Sequence, residues 1–176
     1  MRVIFLAAAG VMGLGLSPAW GEAKAIEKVP AEPLYSLPGP VRAAAEAPES
    51  AAGKTLRFTY PQGAGVRHRD AKKGTWSPWT RLAASSAGNF TFDAENTHTT
   101  SSGGGGIRGF RSTVTYTKTA EGEARVTKET VGVGHSYKAT TTYRLVFTTP
   151  TSGTAFAHTV NDGNETEMTH FRFTLE

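Results

Sequence analysis

The sequence predicts an all-β protein, a small antiparallel up-and-down barrel, with a two-sheet β-sandwich as the alternative. Three observations carry this expectation. From Ser136 to Phe147 the residues Tyr137, Ala139, Thr141, Tyr143, Leu145 and Phe147 alternate with Ser136, Lys138, Thr140, Thr142, Arg144 and Val146, a two-residue period that marks a strand with one buried face. The 20 glycines and the many threonines favour strands and turns over helices. About eight segments of this kind follow one another through short turns, which an antiparallel meander joins most simply.

Composition sets the limits. A chain of 176 residues, 38% hydrophobic and 10% aromatic, suits a single core and gives no support for several domains. With no cysteine, a disulfide framework, a thiolate metal site and a thiol nucleophile are all excluded. From Lys54 onward there are 15 Lys and Arg against 10 Asp and Glu, a mild basic excess of +5. That excess suits an anionic surface polymer, whereas nucleic acid would call for a dense basic stripe that is missing here.

Residues 1–21 read as a secretory signal peptide: Met1-Arg2 is a positive start, Val3 to Leu16 is apolar, and Ala19 and Gly21 are small residues suited to cleavage. The apolar run is too short for a spanning helix, so no transmembrane helix is expected in the mature chain, and the location is periplasmic or extracellular. Residues 22–53 contain Pro30, Pro33, Pro38, Pro40 and Pro48 among alanines and glutamates, the composition of an extended linker, with a helical turn or two conceivable over Val41 to Ala47. The β domain is expected over 54–176.

Within it, Leu56, Phe58 and Tyr60 alternate with Thr55, Arg57 and Thr59, the first strand, ended by Pro61 and Gly63. Gly65 to Lys73 is charged and nearly devoid of apolar residues, which reads as a hairpin end or loop. Trp76-Ser77-Pro78-Trp79 places two tryptophans around a proline, so both cannot share one face of a regular strand, and one is expected to cap the core. Phe90 and Phe92 mark a short strand over Gly88 to Asp93, and Asn96 to Gly106 reads as a flexible loop ending in four glycines. Val114 and Tyr116 lie opposite Thr113, Thr115 and Thr117, then Ala120 to Glu123 turns the chain into a return strand through Ala124 and Val126. Val131 to Gly134 is expected to turn or bulge. Thr148 to Gly153 turns the long strand into Thr154, Phe156 and His158, and Asn161-Asp162-Gly163-Asn164 holds the Asp-Gly pair of tight hairpins. In the last strand Thr169, Phe171, Phe173 and Leu175 share a face against Met168, His170, Arg172 and Thr174.

Two pieces of this pattern, Thr115-Tyr116-Thr117-Lys118-Thr119 and Tyr143 to Thr154, resemble an uncharacterised group of exported bacterial β-rich proteins built from Thr-rich hairpins, over about the last 65 residues. The resemblance implies an exported β fold and carries no catalytic residues.

Candidate chemistry is sparse. The histidines are His68, His98, His135, His158 and His170, and only His158 with Asp162, flanking a turn, offers the start of an ion seat; a zinc site needs three or four converging ligands. No Gly-x-Ser-x-Gly elbow occurs, and Ile107-Arg108-Gly109-Phe110 after the glycines feeds a strand where a phosphate loop would feed a helix. The expectation is therefore a non-enzymatic protein without cofactor or metal. The one cluster with binding chemistry comprises Arg67, His68, Arg69, Lys72 and Lys73 with the neighbouring Trp76 and Trp79, where cations and flat aromatics lie close in sequence.

Three functions fit. The first is an interaction or structural module of the bacterial envelope that contacts an anionic surface polymer or another envelope protein. The second is a lipocalin-like carrier, in which a calycin-like barrel lined by Phe58, Phe90, Tyr143, Phe147, Phe156, Phe171 and Phe173 holds a small apolar ligand. The third is an eight-stranded outer-membrane barrel, disfavoured by the short segment Gly88 to Asp93 and by the ending Thr174-Leu175-Glu176.

Overall fold

A computed structural model describes residues 39–61, 64–82, 85–102 and 109–176, the side chains of 85–87 and 101–102 excepted. The expected signal peptide, the first part of the expected linker and the four consecutive glycines lie outside these residues. The described chain is all-β, with ten strands: β1 (Thr55–Tyr60), β2 (Gly65–Arg69), β3 (Thr80–Arg81), β4 (Ser85–Thr91), β5 (Thr97–Ser102), β6 (Gly109–Ala120), β7 (Glu123–Val133), β8 (Lys138–Thr149), β9 (Ser152–Asn161) and β10 (Asn164–Leu175). Every pairing is antiparallel.

From β5 to β10 the sheet is a plain meander in sequence order. Its hairpins are tight for visible reasons. Asp162 and Gly163 take positive φ values of 48° and 79°, the primed turn that an Asp-Gly pair permits. Only two residues, Pro150 and Thr151, separate β8 from β9, fewer than the six-residue turn expected.

The last strand is the pivot of the sheet. One edge of β10 pairs with β9; the other pairs with β2 over Glu165–Thr169 and with β1 over Arg172 to Leu175. Between Met168 and Phe171 the register shifts, and His170 adopts a φ of 57°, so a β-bulge breaks the alternation. Before the bulge Met168 packs on the core and Glu165 and Glu167 lie on the other face; after it Phe171, Phe173 and Leu175 turn inward.

The sheet is rolled, with one face enclosed. Phe58 of β1 stacks on Tyr143 of β8 at 4.8 Å between ring centres and meets Phe171 of β10 edge-on at 5.3 Å. Phe90 of β4 meets Tyr143 at 6.1 Å, and Phe92 meets Tyr116 of β6 at 6.1 Å. Residues at one end of the sheet thus reach across to its middle. A turn tied by Asp93 leads from β4 into β5: its carboxylate accepts from the Glu95 and Thr97 amides and the Thr97 hydroxyl. Among the described residues no ladder joins β4 to β5, so the sheet is not closed into the expected barrel. Nor does it divide into two sheets, because pairing is continuous through all ten strands.

Other expectations are corrected. Phe156 is not among the inward aromatics, because Ala155 and Ala157 of β9 face in, opposite Leu145 and Tyr143, and leave Phe156 on the outer side. Gly65–Arg69 is a strand, held by β10, where a charged loop is expected. Thr97–Ser102, expected as the start of a loop, pairs with β6 through six consecutive residues, and its threonines suit that role. Val131 and Val133 continue β7 before Gly134, with a φ of 77°, turns the chain.

Residues 39–53, within the expected linker, lie along the sheet as an extended strap with no helical turn. The Ala44 and Ala45 amides donate to the Phe147 carbonyl, the Ala47 amide to the Glu121 carbonyl and the Ala51 amide to Asn96 Oδ1. Tyr116 donates its hydroxyl to the Pro48 carbonyl at 2.7 Å, and Lys118 bonds Glu46 and Glu49 at 2.8 and 2.7 Å. Ala47 and Ala51 belong to the core. Small side chains make this approach possible: a Cβ on Gly122, in the β6–β7 turn, would collide with Ala43.

Candidate functional site

The pairing of β2 with β10 decides what becomes of the basic cluster. Arg67 and Arg69, two apart on one face of β2, stand opposite Glu167 and Glu165, two apart on β10. Arg67 Nε donates to Glu167 Oε2 at 2.6 Å, and Arg69 Nη1 to Glu165 Oε1 at 2.6 Å. The other oxygen of Glu165 is 2.9 Å from His158 Nε2 on β9. His158 is therefore engaged with Glu165 and not with Asp162, the partner expected for an ion seat, and among the described residues no three metal-ligating side chains converge.

Neither tryptophan caps the core. The chain turns back after β2, Arg69 makes an isolated bridge with Trp76, and β3 pairs with the start of β2. Both indoles are thereby brought to the outer face, each part-exposed. The guanidinium of Arg67 lies over both, 4.5 Å from the ring centre of Trp76 and 4.6 Å from that of Trp79. A planar, weakly hydrated guanidinium stacks well on aromatic faces, and its ion pair with Glu167 fixes it in the plane. Trp76, Arg67, Trp79 and Glu167 form one preorganised unit.

The remaining residues of the cluster go elsewhere. His68 sits between the two arginines on the opposite side of β2, with Nδ1 3.0 Å from the Thr166 hydroxyl. Lys72 and Lys73 are exposed on the turn after β2, where Asp70 accepts both of their backbone amides. Thus the structure brings together Arg67, Arg69, Trp76 and Trp79, separates His68, and leaves Lys72 and Lys73 as the exposed cations of the turn.

Sequence reasoning misses the other half of the site. Across β8, β9 and β10 the outward row continues from Glu167 through His158 to Thr142, with Phe156 and Arg144 paired beside it. Arg144 makes a two-point ion pair with Glu123, through Nε at 2.8 Å and Nη2 at 2.5 Å, and its guanidinium lies 5.7 Å from the Phe156 ring centre. Between Trp79 and Phe156 lies a groove of about 320 Å³. One signal was available: arginines two apart and glutamates two apart match as cross-strand partners. The β10 bulge that sets the glutamates outward leaves no such mark.

These contacts shape the response to pH. The Glu165 carboxyl is held below the usual 4.5 chiefly by its hydrogen bond from His158, with Arg69 adding to it; Glu123 is lowered by Arg144 and Glu46 by Lys118. Folded values below the unfolded ones mean that the stability these groups contribute is present above about pH 4.5 and is lost as the pH falls through the folded values. Burial raises the Tyr116 and Tyr143 phenols to about 12 from 10.0, so their contribution holds below pH 10 and is lost as the pH rises toward 12. Urea midpoints measured from pH 2 to 12 should accordingly form a plateau between about pH 5 and 10 with a fall on each side. A midpoint that still rises below pH 4 would contradict the ion-pair assignments.

Compared with known proteins, the chain matches no protein-family model, no curated protein and no solved structure. Among the described residues no helix is long and apolar enough to cross a membrane.

Proposed function

We propose that this chain is an exported, non-enzymatic binding module of the bacterial envelope, that its rolled sheet is an incompletely closed calycin-like barrel, and that it binds its partner through the outer face of β8, β9, β10, β2 and β3. The observation that carries the reading is the Trp76–Arg67–Trp79 stack, held by Glu167 on the outside of the sheet. Part-exposed indoles already fixed by a cation and a carboxylate lose little side-chain entropy when a flat ligand settles on them. Export rests on the apolar N-terminal run and on the resemblance of the Thr-rich hairpins.

The carrier reading is weaker, because Phe58, Phe90, Tyr143 and Phe171 touch one another and occupy the inside of the roll. The membrane-barrel reading is weaker still: Arg57, Arg125, Glu129, Lys138, Arg144 and Arg172 are exposed on strands where a lipid-facing apolar band would be needed.

The ion pairs also revise the expected polymer contact. Arg67 and Arg69 are already neutralised by Glu167 and Glu165, so the salt-sensitive part of any binding falls to Lys72 and Lys73. Retention on isolated envelope fractions, measured from about 0.05 to about 0.5 M NaCl, tests this. Retention should weaken with salt without vanishing. Replacing Lys72 and Lys73 by serine should remove the salt-sensitive part, while Trp76→Ala with Trp79→Ala should lower retention about tenfold or more at every salt concentration. Retention unchanged by both variants, with the fold intact by circular dichroism, would overturn the proposal.

A further inference from the structure

We propose that the groove between Trp79 and Phe156 is a subsite for one uncharged sugar ring, so that the module's partner is a glycan presenting neutral sugar units there, apart from any anionic groups that Lys72 and Lys73 meet. This rests on the outer face being the binding face. A sugar ring presents a flat C–H surface edged by hydroxyl groups, and the groove offers a counterpart to each. Trp79 and Phe156 supply apolar surface. Thr142, His158 and Glu167 place a hydroxyl, an imidazole and a carboxylate at its margin, donors and acceptors suited to hydroxyl groups. Its volume, about 320 Å³, lies at the small end of ligand pockets, which run from about 300 Å³ upward, and matches one ring better than a long stretch of polymer.

The charges around the groove select against an acidic sugar. Arg144 is paired with Glu123, Arg67 with Glu167, and Arg69 with Glu165, which also bonds His158. Each arginine beside the groove thus already has a carboxylate, and a uronate or phosphate entering there would have to displace one or lie beside it. A hydroxyl group has no such conflict: it donates to a carboxylate oxygen or accepts from a guanidinium N–H without breaking the pair.

The tryptophans provide the readout. Trp76 and Trp79 are two of the chain's three tryptophans, so in a Trp20→Phe background all indole emission comes from this face. Chitotetraose, cellotetraose and maltotetraose serve as neutral probes and tetragalacturonate as the acidic one, with excitation at about 295 nm to select indole. At least one neutral probe should shift the emission saturably, with an affinity that changes less than about twofold between about 0.05 and about 0.5 M NaCl. Thr142→Tyr, which fills the groove from β8 and leaves Trp76, Arg67 and Trp79 themselves unaltered, should weaken that affinity at least about tenfold while leaving the thermal midpoint in place. Trp79→Ala should do the same, and its thermal midpoint separates lost contact from lost fold.

Three results would overturn the subsite: a shift with tetragalacturonate alone, neutral binding that survives Thr142→Tyr, or no shift with any neutral probe at up to about 20 mM. The envelope retention assay keeps the two ideas apart. Retention that persists and depends on Trp76 and Trp79 without any neutral-sugar shift defeats the subsite and leaves the binding face standing. A parent protein that is not retained at all defeats the broader reading.

Discussion

Phe147→Ala is expected to remove about 3 to 5 kcal/mol of folding stability, since truncating a fully enclosed aromatic ring forfeits its transfer free energy and leaves a cavity the surroundings fill only in part. Phe147 has no exposed surface, and its ring packs edge-on against Phe173 at 4.8 Å. Its backbone is equally engaged: the amide donates to the Gly122 carbonyl, and the carbonyl accepts from the strap amides of Ala44 and Ala45. The end of β8 therefore has little freedom to collapse into the space. Arg144, three residues earlier on the opposite face, provides the comparison. Its side chain is 56% exposed and its pair with Glu123 is screened by water, so Arg144→Ala should cost about 0 to 1 kcal/mol. Equal losses in urea denaturation would mean that the wrong face of β8 has been taken as buried.

The second large effect concerns the strap. Ala51 has no exposed surface and sits in the core, with its amide bonded to Asn96. Ala51→Asp places a carboxylate there, and an uncompensated buried charge costs about 3 kcal/mol or more. Ala44, exposed on the same strap, should accept aspartate with a change of about 0.5 kcal/mol at most. If the two substitutions prove equally mild, residues 39–53 are a linker resting against the sheet and not part of its core.

The strap also shows where sequence reading loses its grip. Proline spacing reads as an extended segment, and residues 39–53 are extended, without the helical turn that the sequence allowed over Val41 to Ala47. Composition is silent on whether extended chain is solvated or docked, because docking here uses backbone amides that bond the carbonyls of distant hairpins. The inward rows of β1 and β8 were legible because Leu56, Phe58, Leu145 and Phe147 recur at every second position and all are buried, whereas Val146, read with the outward row, is buried as well. In β9 both rows carry apolar residues, and periodicity cannot say that Ala155 and Ala157 take the inside beneath Leu145 and Tyr143 while Phe156 goes out. In β10 the alternation reads smoothly through a bulge that the structure places between Met168 and Phe171. The binding cluster was half legible. Tryptophans beside cations stood out in sequence, but their partners Glu165 and Glu167 lie about a hundred residues away and are joined to them by strand pairing alone.

The central claim is that the outer face binds and the interior does not. Hydroxyl-radical footprinting of the full chain, with and without the envelope fraction that retains it, tests this most directly, because aromatic and sulfur side chains are oxidised in proportion to their exposure. The account predicts that protection on binding falls on Trp76, Trp79 and Phe156 while the already enclosed Phe58, Phe90 and Phe171 stay unchanged. Protection confined to residues lining the inside of the roll, with Trp76 and Trp79 oxidised as fast as in the free protein, would contradict it.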